Sequence, residues 1–298
     1  MKTIHQLLAL FLLINVSCGP KWDEKTTGDL VTISNEGGAT IQYHKASGVT
    51  ILEADRFAFK DLNKNGILDS YEDWRLTAHE RALDLASKMT VDQIAGLMLY
   101  SKHQAIPAST QGYFAGTYGE KSFEESGASP SDLTDQQKAF LIDDNLRHVL
   151  MTQFQSPEVA AEWNNKAQAL VEGIGLGIPV NTSSDPRHRS KADAEFNAGA
   201  GGDISMWPTT LGLAATFNLD LVENFGEIAS KEYRALGIST LAFVFDCSTS
   251  ALATSSKVAS MGSILVSGFL AIDQVLVGQT LIDHAIYRHV DEVNRANF

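Results

Sequence analysis

Asp61, Asn63, Asn65, Asp69 and Glu72 set oxygen donors at short, regular intervals around Gly66. The run from Asp61 to Glu72 fits the pattern D-x-[DN]-x-[DN]-G-x5-E at every defined position. A hard cation such as Ca²⁺ takes six to eight oxygens, and this spacing offers them from one loop of EF-hand type. Asp61, Asn63 and Asn65 are expected to give side-chain oxygens, and Ile67 its backbone carbonyl. Asp69 would act directly or through water, and Glu72 would close the site with both carboxylate oxygens. Gly66 permits the sharp turn, and Leu68 is the apolar residue that pins the loop to a core. The competing reading is a polar Asx-rich turn ahead of a helix, since Asn and Asp are common in such turns. The number of constraints met in so short a run favours the ion. The sequence has one such loop, so Ca²⁺ is expected as a structural ion rather than as the input of a paired sensor.

The elements around this loop are marked by local signals. Thr90 with Gln93, and Thr134 with Gln137, are capping boxes. Ser156 before Pro157 sets a cap ahead of a first-position proline. The helix from Pro157 carries Val159, Ala160, Trp163, Ala167 and Leu170 at helical spacing, and Gly173 is expected to stop it. Asn218 caps a second helix with Leu221, Val222, Phe225, Ile228 and Ala229 on one face, and Gly237 ends it. Strands are expected at residues 147–150, at Leu176–Val180 and at Ile238–Phe245. Strand and helix in alternation imply a parallel sheet, open or closed. No Gly-rich phosphate loop follows a strand, and neither H-E-x-x-H nor G-x-S-x-G is present.

The charge balance narrows the partners. Lys plus Arg is 23 and Asp plus Glu is 36, a formal net charge of −13 across 298 residues. A protein tracking nucleic-acid phosphates needs a basic face, so that class is excluded. The chain has 44% hydrophobic residues, enough to bury a core, so intrinsic disorder is not expected. Two cysteines cannot build a disulfide framework or a thiolate zinc site. Lys2 followed by an apolar run from Leu7 to Val16 reads as a secretory signal peptide over residues 1–18. Ser17-Cys18-Gly19 resembles the end of a bacterial lipobox, which implies a lipid anchor through Cys18. The chain is therefore expected outside the cytoplasm, periplasmic or anchored at the outer membrane. Residues 19–56 read as a polar extension, either a tether or a small β unit.

Four segments resemble glycoside hydrolase family 3, the exo-acting β-glucosidase group. Glu80–Thr90 is similar to that family's opening helix and turn, within a calcium-loop arm over residues 57–87. Leu176–His188 is similar to an early barrel strand and its loop, Trp207–Phe217 to the next strand and loop, and Glu232–Ile238 to the close of the following helix. The likeness covers roughly residues 57–240, with residues 88–240 as a partial N-terminal barrel domain. It implies an α/β fold, a (β/α)₈ TIM-like barrel, here incomplete, with its site at the carboxyl ends of the strands. It also implies retaining hydrolysis of terminal β-D-glucosyl or related residues by a nucleophile and a general acid, both carboxylates. Asp185 falls where the family holds the hydroxyls of the terminal sugar, a contact that suits a carboxylate. Arg187 and His188 receive no role.

The likeness ends near Thr240. From Leu241 to Ile272 the only charged residues are Asp246 and Lys257. The family's Arg-Trp pair, Gly-Glu-Asp turn, Lys-His pair and nucleophile segment have no counterpart. Residues 241–298 therefore read as a tail outside the family, the product of a shifted reading frame and an early stop. The chain is expected to descend from a β-glucosidase while lacking the nucleophile. The alternative is a non-catalytic, calcium-stabilised secreted lipoprotein.

Overall fold

The computed structural model describes residues 19–184, 204–208, 210–238 and 240–241. Val31, Ile33 and Ile41 alternate with polar neighbours, the pattern of strands with one buried face. They lie in an antiparallel meander of β1 (Trp22–Thr27), β2 (Leu30–Asn35) and β3 (Thr40–His44). Ile33 stands opposite Ile41 and Val31 opposite Tyr43, and this face packs on Ala58 and Trp74. A 3₁₀ turn at Lys45–Ser47 leads to a hairpin of β4 (Thr50–Ala54) and β5 (Phe57–Asp61). Asp55 and Arg56 form its two-residue turn at φ 53° and 75°, the geometry that matches strand twist.

The second unit alternates helix and strand. Helices α1 (Ala78–Lys88) and α2 (Val91–Met98) precede β6 (Gln104–Ile106). Then follow α3 (Phe123–Ser126), α4 (Asp135–Ile142), β7 (His148–Phe154) and α5 (Pro157–Glu172). The remaining elements are β8 (Asn181–Ser184), α6 (Thr210–Ala214), α7 (Leu219–Ala235) and β9 (Thr240–Leu241). The four later strands pair in parallel in the order β6-β7-β8-β9, with His148 beside Asn181 and Ser183 beside Thr240. Chain order thus equals spatial order, as successive strand–helix units require.

The architecture is mixed α/β. The described parallel strands form an open four-stranded sheet, and no closed barrel is present among the described strands. Four parallel strands do not close a barrel that takes eight.

Helix α5 covers this sheet with Ala160, Trp163, Ala167 and Val171, spaced by three or four residues and fully buried. Trp163 packs among Leu141, Val149 and Met151, and its indole N–H donates to Gln137 Oε1 at 3.0 Å. Gln137 is itself fully buried at the third position of the α4 capping box, so one amide serves both a helix end and the core. Phe225, Ala229 and Tyr233 of α7 extend the same cluster.

Several expected boundaries shift. Leu176–Val180 is not a strand: Gly175 and Gly177 sit at φ 57° and 65°, so the backbone turns there and pairing begins at Asn181. The strand expected at 147–150 starts at His148 and runs on to Phe154. Of Ile238–Phe245, the described strand is Thr240–Leu241. The strand implied around Trp207 is irregular at 205–208 and is followed by α6. Gly173 follows α5 as expected but keeps a right-handed φ of −80°. Its lack of a side chain serves a close approach: an added Cβ would lie 2.7 Å from the Ser47 carbonyl oxygen. The signal peptide, Cys18 and nearly all of the 241–298 tail lie outside the described residues.

Candidate functional site

Strand β5 delivers Asp61 to the start of the acidic loop, nearly inaccessible at 3% exposure. Its Oδ1 accepts from the Asn65 backbone N–H at 3.0 Å and its Oδ2 from that of Gly66 at 3.0 Å. Asn65 Oδ1 in turn accepts from the Ile67 N–H at 2.7 Å. Lys64 and Gly66 take left-handed φ values of 59° and 74°, which bends the loop back on itself. Glu72, 4% exposed, closes the loop from the other end. Its Oε1 accepts from Leu62 N–H at 2.7 Å and Asn63 N–H at 3.3 Å, and its Oε2 from Asp69 N–H at 3.0 Å. Asp69 Oδ2 meets the side-chain amides of Asn63 at 2.6 Å and Asn65 at 2.9 Å.

The loop thus brings Asn63, Asn65 and Asp69 together, while Asp61 and Glu72 are turned toward backbone donors. Among the described residues, no three His, Cys, Asp or Glu side chains gather as a metal cluster. The donors expected for an ion are a mixture of carboxylate and amide oxygens with the Ile67 carbonyl. Electrostatics bear on whether a cation fits. Lys88 Nζ lies 3.1 Å from Asp69 Oδ1 and 2.8 Å from Asp84 Oδ1. No ion pair among the described residues reaches Asp61 or Glu72. Burial pushes the Glu72 carboxyl above its ordinary range, against the backbone donors of Asp69, Leu62 and Asn63 that favour its charge. Burial also opposes the charge of Asp69, but hydrogen bonds from Asn63 and Lys88 outweigh it and hold its pKa below the ordinary value. Asp61 and Glu72 are thus buried carboxylates without an ion pair among the described residues, met there by backbone N–H donors.

The loop is bound to the sheet unit at several points. Lys60 Nζ pairs with Glu172 Oε1 at 2.7 Å, at the last residue of α5. Lys64 Nζ donates to the carbonyls of Ser47 and Gly173, both at 3.0 Å. Leu62 packs with Leu176, Ile178, Tyr71 and Leu85 in a small second core.

The turn from Gly173 to Val180 carries the chain into β8. Gln168 of α5 holds Val180 by two hydrogen bonds, Nε2 to its carbonyl at 2.8 Å and Oε1 from its N–H at 3.0 Å. Arg147, buried, donates to the carbonyls of Ile178 at 2.8 Å, Leu141 at 2.7 Å and Leu146 at 2.9 Å. Burial pushes its pKa down to about 10. Thr182 Oγ1 donates to Asn164 Oδ1 at 2.9 Å, and the Tyr100 hydroxyl donates to Ser183 Oγ. Strand β8 ends at Ser184, fully buried, its Oγ without a hydrogen-bond partner among the described residues. Asp185 follows directly; with Arg187 and His188, it lies outside the described residues. Arg147, Gln168 and Lys64 were not anticipated, since the partners by which they reach the turn, Ile178, Val180 and Gly173, lie 31, 12 and 109 residues away and carry no local signature. A cavity of about 220 Å³ lies beside β6, lined by Gln104, Thr134, Phe140 and Tyr100 among others.

No family model matches the chain. It is 37% identical over 194 residues to the periplasmic beta-glucosidase/beta-xylosidase of Dickeya chrysanthemi, covering 64% of this chain and 27% of that one. It is 30% identical over 178 residues to the probable beta-glucosidase C of Aspergillus oryzae, covering 59% and 25%. Beta-glucosidase C of Emericella nidulans matches at 30% over 180 residues, covering 60% and 26%. The chain spans about a quarter of the length of the curated relatives it matches. Over the matched residues, this chain is similar to proteins named as β-glucosidases, the kind of relationship expected from its likeness to glycoside hydrolase family 3.

Proposed function

We propose that the chain is a substrate-recognising part of an exo-β-glucosidase-type glycoside hydrolase, acting on terminal β-D-glucosyl or related β-glycosyl residues. The observation that carries this is its likeness to three β-glucosidases and a β-glucosidase/β-xylosidase over about 60% of its residues. In this reading the parallel sheet is the first part of a (β/α)₈ barrel, and the sugar meets the carboxyl ends of its strands. Asp185, one residue past β8, accepts hydrogen bonds from sugar hydroxyls. Gln168, Arg147 and Thr182 fix the path of β8, which directly precedes Asp185 in the chain. Cleavage with retention needs a carboxylate nucleophile and a carboxylic acid on either side of the bond. No segment of this chain matches the family's nucleophile, so recognition is the part of the reaction assigned to it.

Residues 57–87 form the arm that carries the acidic loop and the entry helix, and residues 88–240 the barrel portion. Asp61, Asn63, Asn65, Ile67, Asp69 and Glu72 are the residues that hold Ca²⁺. Bound there, the ion supplies positive charge to buried carboxylates and ties the two ends of the loop together. Export past the inner membrane, with a lipid anchor on Cys18, completes the reading, supported by the leader pattern and by a relative named as periplasmic.

Release of nitrophenol from aryl β-D-glucoside and aryl β-D-xyloside tests the assignment. The expected result is turnover at the rate of the protein-free control. Turnover above that rate, abolished in Asp185→Ala, would mean that this chain carries its own nucleophile and acid, and would overturn the restriction to recognition.

A further inference from the structure

We infer that the cavity beside β6 is a binding site for a small aromatic carboxylate, with the Lys102 ammonium taking the carboxylate. At about 220 Å³ it is smaller than the roughly 300–1,000 Å³ of drug-sized pockets, so it suits a single ring. Its apolar wall is Ala105, Ala108, Ala115, Leu146, Phe114 and Phe140. Alanine methyls leave flat surfaces, and the two phenyl rings can meet a third ring edge-on or offset.

The wall is held by contacts within the protein. After β6 the chain folds back on itself: Ser109 N–H donates to Phe114 O at 2.9 Å and Gly116 N–H to Ser109 O at 3.1 Å. Gln136 ties this segment to α4, its Oε1 accepting from Thr117 N–H at 2.9 Å and its Nε2 donating to Thr117 Oγ1 at 3.0 Å. An added Cβ on Gly116 would lie 2.9 Å from both Ala108 Cβ and Thr134 Cγ2, so the segment is seated closely there. A wall fixed in advance lowers the ordering cost of binding.

The polar atoms decide the ligand. Gln104 Nε2 donates to Lys102 O at 2.9 Å, and its Oε1 accepts from Gln137 Nε2 at 3.2 Å. Ser101 Oγ donates to Lys102 O at 2.7 Å and accepts from Leu150 N–H at 2.9 Å. Thr134 Oγ1 accepts from Gln137 N–H at 3.0 Å. These amides and hydroxyls, like those of Gln136, are already engaged. A sugar would bring several hydroxyls to them, and a buried hydroxyl left without a partner is costly. Lys102 differs. Its Nζ donates to Tyr113 O at 3.1 Å and lies 5.7 Å from the centre of the Tyr113 ring. An ammonium carries three donors, and no ion pair among the described residues involves Lys102. The described residues that line the cavity include no Asp or Glu, in a chain of net charge −13. One anionic group on an apolar ring matches this wall: the carboxylate meets Lys102 and the ring meets Phe114, Phe140 and the alanine methyls.

NMR of the full chain with methyl-labelled alanine, titrated with sodium benzoate, tests this. Benzoate is expected to shift the Ala105, Ala108 and Ala115 methyl signals saturably. Benzyl alcohol, which keeps the ring without the charge, should bind about fivefold more weakly, the size of one exposed ion pair. Lys102 is exposed, so its replacement should leave the fold intact. Lys102→Met should weaken benzoate by the same factor and leave benzyl alcohol unchanged, and Lys102→Arg should restore benzoate binding. Alanine signals that do not respond to benzoate, equal benzoate affinity in Lys102→Met, or a larger response to D-glucose than to benzoate would overturn the assignment.

Discussion

Replacing Glu72 by Gln probes the acidic loop at its most constrained position. The carboxylate accepts three backbone N–H groups, two on Oε1 and one on Oε2. A glutamine keeps one acceptor oxygen, and the best arrangement aims it at Leu62 and Asn63. Its NH₂ then faces the Asp69 N–H, donor against donor. One charge-assisted hydrogen bond is lost, at a cost of about 1.5–3 kcal/mol in chelator. The second effect is on ion linkage. At a Ca²⁺ concentration one hundred times the dissociation constant, a single site stabilises the folded state by about 2.7 kcal/mol. For a domain of this size each kcal/mol moves the melting temperature by about 2–4 °C. The natural chain should therefore melt about 5–10 °C higher in calcium than in EGTA. Glu72→Gln should melt several degrees lower in EGTA and lose most of the calcium shift. Thermal melts followed by circular dichroism read both. Equal melting with and without calcium in the natural chain, or a full calcium shift retained in Glu72→Gln, would refute the reasoning.

Two further outcomes follow from the packing. Trp163→Ala empties the centre of the main core and leaves Gln137 short of a donor; it should cost about 3–5 kcal/mol, read as a lower denaturant midpoint. Burial pushes the His148 imidazole below its ordinary 6.5. Its neutral form is thus favoured by folding: the contribution is full above pH 6.5 and is lost as pH falls from 6.5 toward the lower folded value. Melting of the natural chain should drop between pH 7.5 and 5.5 by more than that of His148→Gln, and an equal drop in both would exclude His148 as a source. Glu72, whose pKa is raised, acts in the opposite direction over acidic pH, and the comparison between the two chains cancels it.

Helix starts were legible because capping is local. Thr90, Thr134, Ser156 and Asn218 each accept from the backbone N–H three residues on, at 3.2, 3.0, 3.3 and 3.1 Å. Thr77 with Glu80 carries the same signature and caps α1. The apolar face of α5 was equally plain, since Ala160, Trp163 and Ala167 repeat at the helical period. Strand limits were less so. The apolar run Leu176–Val180 has strand composition, but two glycines at positive φ turn it, and pairing begins in the polar segment Asn181–Ser184. Strand β6 is three residues long, too short for any period to register. At the candidate site, the residues expected as ion donors could be listed from spacing because all lie within one short stretch of chain. Lys64, Arg147 and Gln168 could not, because each acts on a carbonyl or amide brought near only by the tertiary fold. The carboxyl end of β8 enters as a candidate site through family likeness alone: one buried serine and a following aspartate give no pattern of their own.

Binding of a non-hydrolysable β-D-thioglucoside, measured by calorimetry on the purified chain in calcium, tests the recognition assignment most directly, because it needs no nucleophile. The account predicts saturable binding of the thioglucoside that is lost in Asp185→Ala while the melting temperature is unchanged. Absence of binding by the well-folded natural chain, or undiminished binding in Asp185→Ala, would contradict it.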